Sequence, residues 1–100
     1  MLPLSRHAAR LSAVALLLVS CGRSLTPTEC DALLDRYVEK LVGSDRPGTT
    51  AAEVVELQRK AREKAKTDPA FAECRSAVSR KKFECAMEAE TVDRMEICLL

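Results

Sequence analysis

Residues 28–43, TECDALLDRYVEKLVG, read as one amphipathic helix, and that reading decides the fold class. Thr28 is a good N-cap, because a hydroxyl there accepts from a first-turn N–H that has no partner inside the helix. Glu29 and Asp31 follow in the first turn, where carboxylates favour the positive end of the helix dipole. Cys30, Leu33 and Leu34, Tyr37 and Val38, and Leu41 and Val42 recur at three- and four-residue spacing, which puts them on one stripe. Gly43 is expected to end the helix, and Ser44 to Gly48 is a turn by composition.

The chain downstream repeats this grammar in shorter pieces. Thr49 or Thr50 caps a second helix, and Glu53, three residues after Thr50, matches the capping box. Ala51, Val54, Leu57 and Gln58, Ala61 and Ala65 line its inner face, and Glu56 to Lys60 is a favourable i,i+4 pair. Asp68-Pro69 is an N-cap followed by proline at the first helical position, so a short third helix is expected to carry Phe71 and Cys74. Ser79 caps a fourth, with Val78 and Phe83 spaced as a hydrophobic staple. Thr91 opens a final helix carrying Val92, Met95, Cys98 and Leu99. Phe71, Phe83, Met87 and Met95 fall on helical stripes and are expected in the core. No stretch shows sustained period-two alternation, so the expected class is all-α: a small bundle of four to five short helices.

Upstream, the chain reads as an address. Arg6, His7 and Arg10 form a positive n-region, and Leu11 to Val19 is apolar except for Ser12. An apolar run of about ten residues suits the h-region of an export signal and is too short to span a membrane, which takes about 20. Leu18-Val19-Ser20-Cys21 resembles the lipobox of bacterial lipoproteins. The resemblance implies a diacylglycerol on the Cys21 thiol, cleavage between Ser20 and Cys21, and acylation of the new amino terminus. A plain secretory signal with a cysteine at its cleavage site, or an uncut anchor, are the competing readings. Gly22 in place of aspartate leans toward the outer membrane. The resulting division is a signal peptide over 1–20, a lipidated cysteine with a short tether over 21–28, and a helical domain over 29–100. The seven residues from Gly22 to Thr28 would reach roughly 25 Å at full stretch.

Removing residues 1–20 leaves 34 apolar residues among 80, with 14 basic and 15 acidic side chains. It also removes the only histidine, His7, so no Ser-His-Asp triad, Cys-His pair or histidine metal cluster remains. Balanced charge and three aromatic residues argue against a nucleic-acid partner. Glu84 and Glu88 are a carboxylate pair on a polar helix face with no apolar neighbour to shift a pKa. The basic runs Arg59 to Lys66 and Arg80 to Lys82 read as solvated faces balanced by Glu53, Glu56, Glu63, Glu84 and Glu88. Contact with anionic headgroups or cell-wall polymers is the alternative.

Cys30, Cys74, Cys85 and Cys98 remain, an even set in an exported chain, where disulfides are the expected state. Two phenylalanines, one tyrosine and no tryptophan make a thin core, which cross-links would reinforce. Cys85 and Cys98 flank a corner near Glu90 and Thr91, and Cys74 follows the return of the second helix toward Cys30. That favours Cys30–Cys74 with Cys85–Cys98; Cys74–Cys85 with Cys30–Cys98 stays open. The spacings of 43, 10 and 12 intervening residues lack the CxxC pairs that zinc or thioredoxin-type chemistry uses.

Glu29-Cys30, Glu73-Cys74, Glu84-Cys85 with Ala89, and Thr91 before a closing Cys98 resemble a set of small exported helical proteins found mainly in myxobacteria, many with a lipobox. The resemblance implies a helical, disulfide-linked fold and brings no catalytic residue. The expected function is that of a membrane-anchored envelope lipoprotein with a non-enzymatic structural or binding role. It needs no cofactor and no metal, and its partners are the membrane, through the lipid on Cys21, and an envelope protein. A lipoprotein inhibitor or immunity-type protein with a single protein partner is the second reading. A thiol-redox protein using Cys85 or Cys98 is the third.

Overall fold

Thr26, not Thr28, starts the first helix. In the computed structural model, which describes residues 24–100, Thr26 Oγ1 accepts from the Glu29 N–H at 3.1 Å and Glu29 Oε1 accepts from the Thr26 N–H at 3.0 Å. Two first-turn donors are thereby satisfied reciprocally. Pro27 takes the first helical position, where its missing N–H costs nothing and its fixed φ suits the helix. The helix, α1, spans Pro27–Asp45. It runs through Gly43, which was expected to end it. The stop is Pro47, which pushes Arg46 out of the helical region to φ −135° and ψ 70°.

The other segments are α2 (Ala51–Ala65), α3 (Pro69–Ala72), α4 (Cys74–Ala77), α5 (Arg80–Glu88) and α6 (Val92–Leu99), with no strand among the described residues. Thr50 and Glu53 form the expected capping box on α2. Ser79 accepts from the Lys82 N–H at 3.2 Å and Thr91 from the Arg94 N–H at 3.1 Å. The third helix was expected to be one piece. It is two single turns, α3 and α4, broken at Glu73.

α1 is the axis. α2 returns antiparallel along one flank, where Gln58 Nε2 donates to the Asp35 carbonyl at 2.9 Å and Arg62 approaches the Asp35 carboxylate at 3.5 Å. The α5–α6 hairpin lies on the other flank. There Arg36 Nη2 donates to the Ala89 carbonyl at 2.8 Å and the Tyr37 hydroxyl to Glu96 Oε1 at 2.8 Å. The core sits on the hairpin side: Leu25, Leu33, Cys74, Ala86, Ala89 and Met95 are buried together, with Tyr37, Val78, Phe83, Met87 and Leu99 packed against them. Val78 and Phe83 thus meet the same cluster, as a staple would. α2 contributes no buried residue; Val54, Leu57, Gln58, Ala61 and Ala65 are only half-buried and Ala51 is exposed.

Two expectations about the core change. Phe71 is 39% exposed, because the single turn of α3 lies outside the cluster. Leu25, expected in a mobile tether, is 1% exposed. The folded part therefore begins at or before Leu25, and the boundary expected between residues 28 and 29 moves toward the amino terminus.

Candidate functional site

Ser20 and Cys21, the expected cleavage and lipidation residues, lie outside the described residues. The four remaining cysteines are all paired. Cys30 joins Cys74 across 44 positions with a Cα–Cα distance of 6.2 Å, and Cys85 joins Cys98 across 13 with a Cα–Cα distance of 5.6 Å. This is the favoured of the two pairings left open. On chain-entropy grounds the longer loop contributes roughly 4 kcal/mol and the shorter roughly 3 kcal/mol. The two bonds differ in setting. Cys74 is 6% exposed and part of the core, whereas Cys85 is exposed at the surface of the hairpin.

The amino-terminal end of α1 is the most tightly tied polar region. The Leu25 N–H donates to the Arg75 carbonyl at 3.3 Å, and Arg75 Nε donates to the Leu25 carbonyl at 3.2 Å. Cys74, next to Arg75, is bonded to Cys30. Glu29, already part of the capping box, takes both guanidinium nitrogens of Arg80. The guanidinium and the Thr26 N–H together hold the Glu29 carboxyl down at about 2. Arg80 also lies over the Phe83 ring, 5.8 Å from its centre. Apart from the cap and the Arg80–Phe83 contact, these links join residues far apart in sequence, so spacing alone could not have found them. The Thr26-x-x-Glu29 pattern was the one available signal.

The expected pair Glu56–Lys60 is replaced by Glu56 with Arg59, bidentate at 2.6 and 3.1 Å, because the guanidinium one position nearer offers two donors. Lys66 pairs with Glu63 at 3.0 Å. These pairs are on solvated faces, as the charge pattern suggested. Arg62 is an exception, since it reaches across to Asp35 on α1.

Clefts open on the surface of the described residues, two of them beside α1. One, of about 420 Å³, lies beside Cys30 between α1 and the end of α2, with Arg59, Lys66 and Phe71 on its rim. The other, of about 780 Å³, lies at the opposite end of α1. Val42, Val54 and Val92 form its apolar floor, and Glu39, Glu90 and Asp93 are on its rim. Among the described residues no group of three or more histidine, cysteine, aspartate or glutamate side chains is arranged to hold a metal ion. No described helix is long and apolar enough to cross a membrane. No protein family, curated protein or solved structure matches the chain.

Proposed function

We propose that the chain is an exported lipoprotein of the bacterial envelope, held on the membrane through acyl chains on Cys21, whose helical domain has a structural or binding role rather than an enzymatic one. The observation that carries this reading is Leu18-Val19-Ser20-Cys21 at the end of a charged and then apolar leader. The pairing of all four remaining cysteines supports it, since disulfides persist in oxidising compartments outside the cytoplasm. Two acyl chains suffice for stable anchoring, at about 0.8 kcal/mol per buried CH₂.

The intact mass of the protein taken from its own membrane tests the reading. A chain that starts at Cys21, carries acyl mass and lacks four thiol hydrogens is the expected result. Cys21→Ala should leave an uncut, unacylated precursor. A normal membrane-bound mature form after that change would overturn the proposal.

The second reading, a lipoprotein that captures one protein partner, draws on the groove floored by Val42, Val54 and Val92. It lies at the end of α1 far from Leu25, so on an anchored domain it would face away from the bilayer. A single stoichiometric partner recovered with the wild-type protein, and lost on Val92→Asp, would favour this reading over a structural one.

A further inference from the structure

The buried start of the folded chain limits how far the domain can stand from anything attached at Cys21. Leu25 is 1% exposed and is hydrogen-bonded to Arg75 through both its N–H and its carbonyl. The four Cα-to-Cα steps from Cys21 to Leu25 reach at most about 14 Å. That is little more than half of what a tether running to Thr28 would allow. With acyl chains on Cys21, the end of the domain that holds Leu25 has to lie at the level of the headgroups.

Several elements meet at that end. Arg80, at the start of α5, is bound to Glu29 at the start of α1. Lys82 Nζ donates to the backbone oxygen of Leu100, just beyond α6, at 3.0 Å. Phe71, exposed, shares a cleft with Cys30.

The first turn of α5 breaks the usual charge rule for helices. Arg80, Lys81 and Lys82 occupy it, and no carboxylate does. Cations there face the positive end of the helix dipole and oppose the helix. Arg80 is compensated by Glu29. Lys81 is exposed and makes no ion pair among the described residues, while the ammonium of Lys82 donates to the backbone oxygen of Leu100. Arg75 uses only Nε on Leu25, which leaves its two terminal nitrogens to donate elsewhere. Of the carboxylates nearby, Glu29 is taken by Arg80 and Glu63 by Lys66, Asp31 and Glu73 are exposed, and Glu84, one turn along α5, acts on Arg80 through its charge. A local rule broken at a cost to the helix, with no described ion pair for Lys81, is the kind of position that serves something outside the fold.

We propose that Arg75, Lys81 and Lys82 form a contact surface for anionic lipid headgroups, which seats the domain on the bilayer by its amino-terminal end. This rests on the anchor at Cys21 proposed above. Cations close to an anionic leaflet are attracted strongly only within a Debye length, and the short tether keeps these side chains inside that range. The acyl chains hold the protein on the membrane, and the cations set which end faces it. The groove floored by Val42 and Val92 is then presented outward.

The test uses the wild-type chain made in a lipoprotein-processing bacterium and returned from detergent to vesicles. One set is phosphatidylcholine alone and the other contains about one-third phosphatidylglycerol. A water-soluble amine-acylating reagent labels exposed lysines, and peptide masses give the labelling of Lys81 and Lys82 relative to Lys40, which borders the far groove. The ratio should fall about threefold or more on the anionic vesicles and recover in roughly 0.5 M salt. An equal ratio on both vesicles overturns the proposal, including equal shielding on both, which closeness to a bilayer would give without any role for charge. The intact mass of the same preparation separates the two readings. Missing acyl mass would end the anchor at Cys21, while the labelling ratio would still decide the surface.

Discussion

Glu29 shows how much one side chain can link. It closes the cap on α1 through Thr26 and ties α5 to α1 through Arg80. Its folded pKa of about 2 lies below the ordinary carboxylate value of 4.5. A depressed carboxylate contributes its full stability above the unfolded value and loses it as pH falls through the folded one. The wild-type thermal midpoint should therefore drop as the pH is lowered from about 5 toward 2. Glu29→Gln, which keeps a capping acceptor but no charge, should start lower at neutral pH and fall less over that window. Parallel pH profiles for the two proteins, followed by circular dichroism, would show that the ion pair contributes nothing. Leu25 makes a separate case. A fully buried leucine truncated to alanine costs about 2–5 kcal/mol in well-packed cores. Leu25→Ala should thus shift the urea midpoint as a core substitution does. A shift below about 0.5 kcal/mol, typical of an exposed position, would return Leu25 to the tether.

At the scale of elements, what the sequence made legible was local. The caps at Thr50, Ser79 and Thr91 and the break at Pro69 each depend on residues within one turn, and each was readable. Thr28 reads as the cap from composition because Thr26 and Thr28 flank Pro27, and each is a competent cap on its own. Glu29 decides between them by standing three residues after Thr26. Gly43 reads as a stop from sequence, yet a glycine near a helix end has two meanings. Here it lies inside the helix, with nothing within 4 Å of where a Cβ would stand. Gly43→Ala should therefore stabilise the protein by about 0.5–1 kcal/mol, the ordinary helix-interior difference between the two residues. Gly48 is the opposite case. Its φ of +94° is outside what a side chain tolerates well, although the space around it is equally open. Gly48→Ala should destabilise by about 1–2 kcal/mol. Paired denaturant titrations read the two signs directly, and equal effects at both glycines would contradict the argument. What spacing could not supply was the set of contacts across the fold. Arg36 to Ala89 spans 53 positions and Tyr37 to Glu96 spans 59. The sequence offered both donors and both acceptors, but it offered equally good partners elsewhere.

Across the whole molecule, the two flanks of α1 are unequal. On one side, α5 and α6 bury Ala86, Ala89, Val92 and Met95, and Cys85–Cys98 locks the hairpin. Cys30–Cys74 fastens the chain between α2 and α5 to the same core. On the other side, α2 buries no residue fully and crosses no disulfide. Its polar links to α1 are Gln58 on the Asp35 carbonyl and Arg62 near the Asp35 carboxylate at 3.5 Å. The second oxygen of that carboxylate, Oδ1, is buried with no hydrogen-bond partner, so the contact is imperfect where it is most polar. Regions with few buried apolar contacts open locally before the whole fold does. α2 is therefore the part expected to detach first, while α1 stays held by the hairpin. Amide hydrogen exchange measured by NMR at neutral pH should give α2 amides opening free energies below those of α1 from Leu33 to Val42 and of α6. Added urea should change the α2 values little, because a local opening exposes little new surface. Reduction of both disulfides should lower protection in α6 and around Cys74 more than in α2, whose opening does not depend on either cross-link. Equal protection of α2 and α6, with the same urea dependence, would mean that α1, α2 and α6 unfold as one unit. The half-buried face of Val54, Leu57 and Ala61 would then be binding α1 more strongly than its exposure implies.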